Sequence, residues 1–171
     1  ANEILVKSNC YTGVYKTSGV VRAFLQKAVV GGRTMTCENK KQKQTNDDTK
    51  IADFDGVSLY PSSMARIKGF VLGKPIVIND TSLDFLLNQD FFVADVKIIK
   101  INKKLKFPLQ SKIDTEKHVR FFRNDLEGEF IRMDKTALED FINFQEAEVE
   151  VIKGYYWNEG FNINVRKVIT K

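Results

Sequence analysis

Asp55, Gly56, Ser58, Leu59 and Tyr60 lie within one short segment, IADFDGVSLYPSSMARIKG (51–69), where an apolar–acidic run meets a helix-like pattern. An aspartate at a strand end is a hard oxygen ligand suited to a divalent cation, and a nearby peptide carbonyl can join it. Gly56 has no side chain to screen its carbonyl. The N–H groups of Ser58, Leu59 and Tyr60 fall at or just before a helix start, where unpaired donors and the helix dipole attract phosphate. The ring of Tyr60 offers a floor beneath a sugar. Cation and phosphate sites side by side are the parts needed for phosphoryl transfer on a nucleotide. A two-metal site needs one more carboxylate. Asp53, two residues back on the same strand face, and Asp95, in a later strand, are the candidates. An Asp and a Tyr at such a junction can also simply cap and pack, and spacing alone leaves both readings open.

The elements that must hold this junction follow from periodicity. Residues 51–57 alternate as a strand, with Asp53 and Asp55 on one face and Ala52 and Phe54 on the other. A helix is expected from Leu59 or Tyr60 to Lys68, with Pro61 in its first turn and Gly69 as its stop. Upstream, Thr17-Ser18 can cap a helix over 19–27 whose inner side is Val20, Val21, Phe24, Leu25 and Ala28. Gly31 and Gly32 follow, and two adjacent glycines let the backbone turn tightly and approach a partner closely. The stretch CENKKQKQTNDDTK (37–50) has almost no large apolar residues and reads as an exposed loop. Beyond Gly73 strands dominate: GKPIVIND, DFFVADVKIIKI, KLKFPLQSKI, HVRFFRND and EGEFIRM. A short helix is expected in TSLDFLLNQ, and a longer one over 135–144 capped by Asp134. AEVEVIKGYYW and FNINVRKVI alternate like two arms of a hairpin around Asn158-Glu159-Gly160. The expected fold class is α+β, rich in antiparallel strands.

Composition narrows the chemistry. The single histidine, His118, sits in an alternating apolar–basic pattern, which argues against Ser-His-Asp, Cys-His and most zinc chemistry. Cys10 and Cys37 are far apart, without partners at zinc spacing, and read as reduced thiols. No apolar run approaches the ~18 residues that span a bilayer. Nothing resembles a secretory leader, so a cytoplasmic, non-secreted protein without a membrane role is expected. The formal charge is +5, but the window from Lys97 to Arg123 carries nine basic residues against two acids, leaving −2 elsewhere. Such concentration suits a polyanion, first of all nucleic acid; it also suits solvated, lysine-protected edge strands. Lys103, Lys104, Lys106 and Lys112 are the candidate DNA contacts.

Asp55-Gly56-Val57-Ser58-Leu59-Tyr60-Pro61-Ser62 resembles the first palm motif of family B DNA polymerases, D-x-x-S-L-Y-P-S, at every fixed position. Val29-Val30-Gly31-Gly32 stands about where protein-primed members carry Y-x-G-G, with Val29 in place of the tyrosine. FPLQSK, the strands after it and DKTALEDFINFQEAEVEVIKGYYW resemble the insertion those polymerases carry between palm and fingers. The likeness covers most of residues 18–168. It implies part of a palm with the first catalytic motif over 1–69, a mostly β insertion with one helix over 70–154, and a hairpin toward the fingers over 155–171.

By that resemblance Asp55 is one of two metal-binding carboxylates for Mg2+ and Gly56 lends a carbonyl. Ser58, Leu59 and Tyr60 face the triphosphate of a dNTP, and Tyr60 stacks beneath the deoxyribose and excludes a 2′-hydroxyl. Gly31 and Gly32 hold the template strand, although the ring contact of the missing tyrosine is lost. The insertion contacts DNA and the priming terminal protein, and the polymerase as a whole acts on a DNA template and primer. The fingers motif K-x-x-x-N-S-x-Y-G and the second palm motif Y-x-D-T-D do not occur in these 171 residues. The expectation is therefore a segment of a DNA-directed DNA polymerase, inactive without the remainder of its chain. The alternative is a non-catalytic module that binds DNA or a priming protein.

Overall fold

The strongest strand pattern in the sequence, FFVADVKIIKI, becomes the spine of the structure. The computed structural model describes residues 2–33, 52–116 and 119–169. In chain order the elements are helices α1 (Asn2–Lys7), α2 (Gly19–Gln26) and α3 (Leu59–Arg66), then strands β1 (Phe70–Val71) and β2 (Ile76–Val77). Helix α4 (Leu83–Leu87) precedes strands β3 (Phe91–Ile101), β4 (Ser111–Asp114), β5 (Val119–Phe122) and β6 (Phe130–Asp134). Helix α5 (Lys135–Gln145), strands β7 (Ala147–Trp157) and β8 (Phe161–Asn162) and helix α6 (Asn164–Ile169) complete the order. The fold is α+β, as its sequence indicates. The expected loop over 37–50, with Cys37, and residues Ile51, Lys117 and His118 lie outside the described residues.

The main sheet has the order β2-β7-β3-β6, and every pairing in it is antiparallel. Phe92, Ala94, Val96 and Ile98 alternate along β3 onto one buried face. Leu138 and Phe141 of α5 and Leu86 of α4 close over that face to form the core. Covering one sheet face with helices removes these side chains from water, the dominant favourable term in folding. Helix α5 starts where the sequence says it should. The Asp134 carboxylate accepts from the Ala137 N–H at 2.8 Å, meeting one of the donors a helix start leaves unpaired. The Lys135 ammonium donates to the carbonyls of Leu87 and Gln89, both at 2.6 Å, so one lysine binds α5 to the end of α4.

The other sheet face receives α2. Phe24 meets Tyr155 edge-on, with ring centroids 5.2 Å apart. Its carbonyl accepts from Arg132 of β6 at 3.0 Å. Val21, Phe24, Leu25 and Ala28 are half-buried as their spacing predicts, whereas Val20 is 79 % exposed. Close approach explains Gly154 in β7: a Cβ there would meet the Val93 carbonyl oxygen at 2.2 Å.

Three expectations are overturned. Of the expected strand KLKFPLQSKI only its end joins β4 (Ser111–Asp114), because Leu105 and Leu109 of the loop before it bond to the Asn124 and Gln145 side chains and not to a strand. Residues 52–56 form no strand and are exposed throughout. The alternation of Ala52, Asp53, Phe54 and Asp55 is real, but a strand needs a partner for its backbone groups, and none pairs with it among the described residues. The hairpin assigned to 155–171 is also absent. Both edges of β7 are already taken by β3 and β2. Phe161 and Asn162 pair instead with Val71 and Phe70 of β1. The segment after them is helical: the Asn162 side-chain oxygen accepts from the Asn164 N–H at 3.0 Å, and Val165 is the buried residue of α6. Asn162 further donates to the carbonyls of Asn9 and Thr12, tying this region to the turn after α1. Strand β7 runs through the expected insertion boundary at residue 154 without interruption.

Candidate active-site turn and basic loop

The turn before α3 is built by backbone geometry. Ser58 occupies the left-handed region, φ 49° and ψ 45°, at a cost of about 1–2 kcal/mol for a residue with a side chain. Strained positions of this kind concentrate at functional turns. The Gly56 carbonyl accepts from the Leu59 N–H at 3.1 Å, and the Ser58 carbonyl accepts from the Ser62 N–H at 2.9 Å. Asp55, Gly56, Ser58, Leu59 and Tyr60 are all exposed, Tyr60 to 82 %. One expectation changes as a result. The Leu59 N–H points back to Gly56 and is not free for phosphate, and the Gly56 carbonyl has one of its two lone pairs engaged. The helix itself ends at Arg66, with Ile67 extended.

The candidates for a second carboxylate divide clearly. Asp53 is exposed like Asp55. Asp95 is gripped by both arms of the Arg132 guanidinium, at 2.7 and 2.8 Å. Arg132 also lies 3.5 Å from the centre of the Phe24 ring. A two-point ion pair beneath an aromatic ring satisfies the Asp95 charge, so this residue is structural. Among the described residues no three His, Cys, Asp or Glu side chains cluster as a metal site would require.

After α2 the chain passes through Gly31 and Gly32, both exposed, with nothing within 4 Å of where a Cβ would stand. Next comes Arg33, half-buried. Its guanidinium lies 3.7 Å from the centre of the Phe122 ring, and its Nη2 donates to the Pro108 carbonyl.

The basic window is less uniform than its sequence suggests. Lys103, Lys104 and Lys106 are exposed in the loop over 102–110. Lys112 instead meets the Glu129 carboxylate at 2.5 Å, so its charge is matched locally. Arg123 pairs with Asp125, and its side-chain hydrogen bonds hold the Asp125 carboxyl below its ordinary value of 3.8. The lysine loop is held from beneath. The buried Gln145 side chain accepts from the Leu109 N–H at 2.8 Å and donates to the Asn124 side-chain oxygen at 3.1 Å. Asn124 in turn binds both backbone groups of Leu105, at 3.0 and 2.8 Å. The Lys103 N–H donates to the Gln145 carbonyl at 3.0 Å.

Residues 4–166 match the family model described as DNA polymerase type B, organellar and viral. The chain belongs to this family of DNA polymerases. Searches of curated proteins and of solved structures returned no match. In this polymerase segment the D-x-x-S-L-Y-P-S turn and the lysine loop are separate features of the surface, carried by α3 and by the connection from β3 to β4. Sequence reasoning missed Arg33, Asn124 and Gln145. Gln145 had left a signal: it falls seven residues after Leu138 and four after Phe141, on the apolar stripe of α5. A polar side chain in that phase needs a buried partner.

Proposed function

We propose that Asp55 and the turn that follows it form the metal- and nucleotide-binding corner of a protein-primed DNA polymerase, and that the lysine loop belongs to its insertion for DNA or the priming terminal protein. The observation that carries this reading is the exposed Asp55 carboxylate five residues ahead of Tyr60, itself exposed at the start of α3. The donors fit Mg2+ in part. Asp55 supplies a hard oxygen and Gly56 keeps one carbonyl lone pair free, so these two residues would hold it. When bound, the ion supplies charge stabilisation for phosphoryl transfer. The N–H groups of Ser58 and Tyr60 would then face the triphosphate of a dNTP, with the Tyr60 ring beneath the deoxyribose. Completing the site calls for further carboxylate from the remainder of the polymerase chain.

Asp55→Asn in the full-length protein tests this reading. Template-directed incorporation should fall by about 100-fold or more, with melting unchanged, because an exposed carboxylate without a partner among the described residues contributes little to the fold. Wild-type incorporation by Asp55→Asn defeats the catalytic reading.

The exposed charges of Lys103, Lys104 and Lys106 favour a second reading, a binding module without catalysis. It expects DNA affinity to fall steeply with salt, because phosphate neutralisation releases counterions. It also expects Asp55→Asn to leave every measurable function in place.

A further inference from the structure

We propose that Arg33 is a positioning residue that fastens the Gly31–Gly32 segment to the β4–β5 hairpin, making one track for the sugar–phosphate backbone of a nucleic-acid strand. The proposal rests on the nucleic-acid reading of the lysine loop and deepens it.

The joint spans a long sequence separation: Arg33 and Pro108 are 75 residues apart. The Arg33 guanidinium stacks on Phe122 and donates to the Pro108 carbonyl, in the loop that carries Lys103, Lys104 and Lys106. Gln145 fixes the next residue of that loop, Leu109. Pro108 is therefore a firm anchor, and the glycine segment is the part being held.

Charge points to the ligand. A ring face and a carbonyl engage the guanidinium without neutralising it. Arg120 lies two residues from Phe122 on β5 and so shares its hairpin face. Its Nη1 donates to the Ser111 hydroxyl at 2.8 Å, another uncharged acceptor. Among the described residues neither guanidinium meets a carboxylate. Two cations without a carboxylate partner among the described residues, beside a glycine backbone that is open to contact, suit a run of phosphates. Neither Gly31 nor Gly32 presents a side chain to hold a strand away.

The choice of arginine is testable because lysine keeps the charge and loses the planar fork. In the full-length protein, binding is measured with a labelled primer–template across a salt series. If Arg33 is a joint, Arg33→Lys, Arg33→Ala and Phe122→Leu each weaken binding about fivefold or more. The Arg33→Lys/Phe122→Leu double variant should be no weaker than either single change, with melting unaltered. If Arg33→Lys binds like the wild type, or the two changes multiply, Arg33 is only a charge contact and the proposal fails. Lowered melting without lowered affinity makes Arg33 a stability residue and also overturns it. The triple reversal Lys103→Glu/Lys104→Glu/Lys106→Glu separates the two layers. Unchanged affinity there refutes the nucleic-acid reading and the joint with it. Weakened affinity there beside wild-type Arg33→Lys binding refutes the joint alone.

Discussion

Replacing Gln145 with leucine removes the amide that holds the lysine loop while nearly preserving side-chain volume. Its consequences can be worked from the contacts. The Leu109 N–H loses its acceptor at 2.8 Å, and Asn124 loses one of the donors to its side-chain oxygen. The weaker bond to the Lys103 carbonyl, at 3.5 Å, disappears as well. An orphaned buried donor costs about 1–3 kcal/mol, and each remaining bond about 0.5–1 kcal/mol. Leucine adds favourable apolar burial, so a net loss of about 2–3 kcal/mol is expected. For a chain of this size that lowers the melting temperature by about 4–12 °C. Trp157 is the sole tryptophan and is 4 % exposed in β7, so its fluorescence in a denaturant titration reports the sheet. The midpoint should move with the slope unchanged. Asn124→Ala should cost a similar amount, and the double variant should lose less than the two together, because both residues serve one network. A loss below about 0.5 kcal/mol for Gln145→Leu would refute the claim that this amide organises the loop.

Other substitutions probe separate parts of the structure. Arg132→Ala strands the Asp95 carboxylate, which is only 17 % exposed, and should cost about 3 kcal/mol by denaturation; the Asp95→Asn/Arg132→Met pair should recover most of it. Arg123→Ala should raise the Asp125 carboxyl toward 3.8 in an NMR titration. In the unmodified chain that carboxyl sits lower when folded than unfolded, so the pair's contribution is present above about 3.8 and fades as pH falls below it. Salt should shrink the effect, since both groups face solvent. Tyr60→Ala in the full-length protein should relax the preference for deoxyribonucleotides over ribonucleotides by about tenfold or more, while Tyr60→Phe should retain it; equal discrimination by all three forms removes Tyr60 from beneath the sugar.

Helices and their caps were legible because their determinants are local. Asp134 and Ala137 are three residues apart, and the stripe through Leu138, Phe141 and Gln145 follows the helical period. Strand partners were not legible, because they depend on which edges remain open once the longest strands have paired. Phe161–Asn162 had the alternation of a hairpin arm, but β2 already occupied the edge it needed. Residues 52–56 had the alternation of a strand and no strand to pair with among the described residues. The chemical character of the D-x-x-S-L-Y-P-S turn could be read directly, since an exposed acid, a glycine and a helix start fall within a few residues. The bond from Leu59 N–H to Gly56 could not, because it follows from the left-handed turn at Ser58, a residue type that rarely adopts it.

The basic window shows why a count of charges along the chain misjudges a surface. Two of its cations, Lys112 and Arg123, meet Glu129 and Asp125, which lie just beyond the edge of the window. At contact distance each acid removes much of the field its partner would project. The window also omits Arg33, which reaches the same hairpin from the far side of α3 in the sequence. Around the loop and its hairpin the cations not paired with a carboxylate among the described residues are Lys103, Lys104, Lys106, Arg120 and Arg33, with Gln145, Asn124 and Phe122 holding the backbone and the Arg33 ring contact beneath them. On the proposed nucleic-acid reading, the two anchored guanidiniums would lose less side-chain freedom on meeting phosphates than unanchored lysines do. The sequence of the loop thus matters less for its total charge than for the uncharged residues that decide which charges stay free.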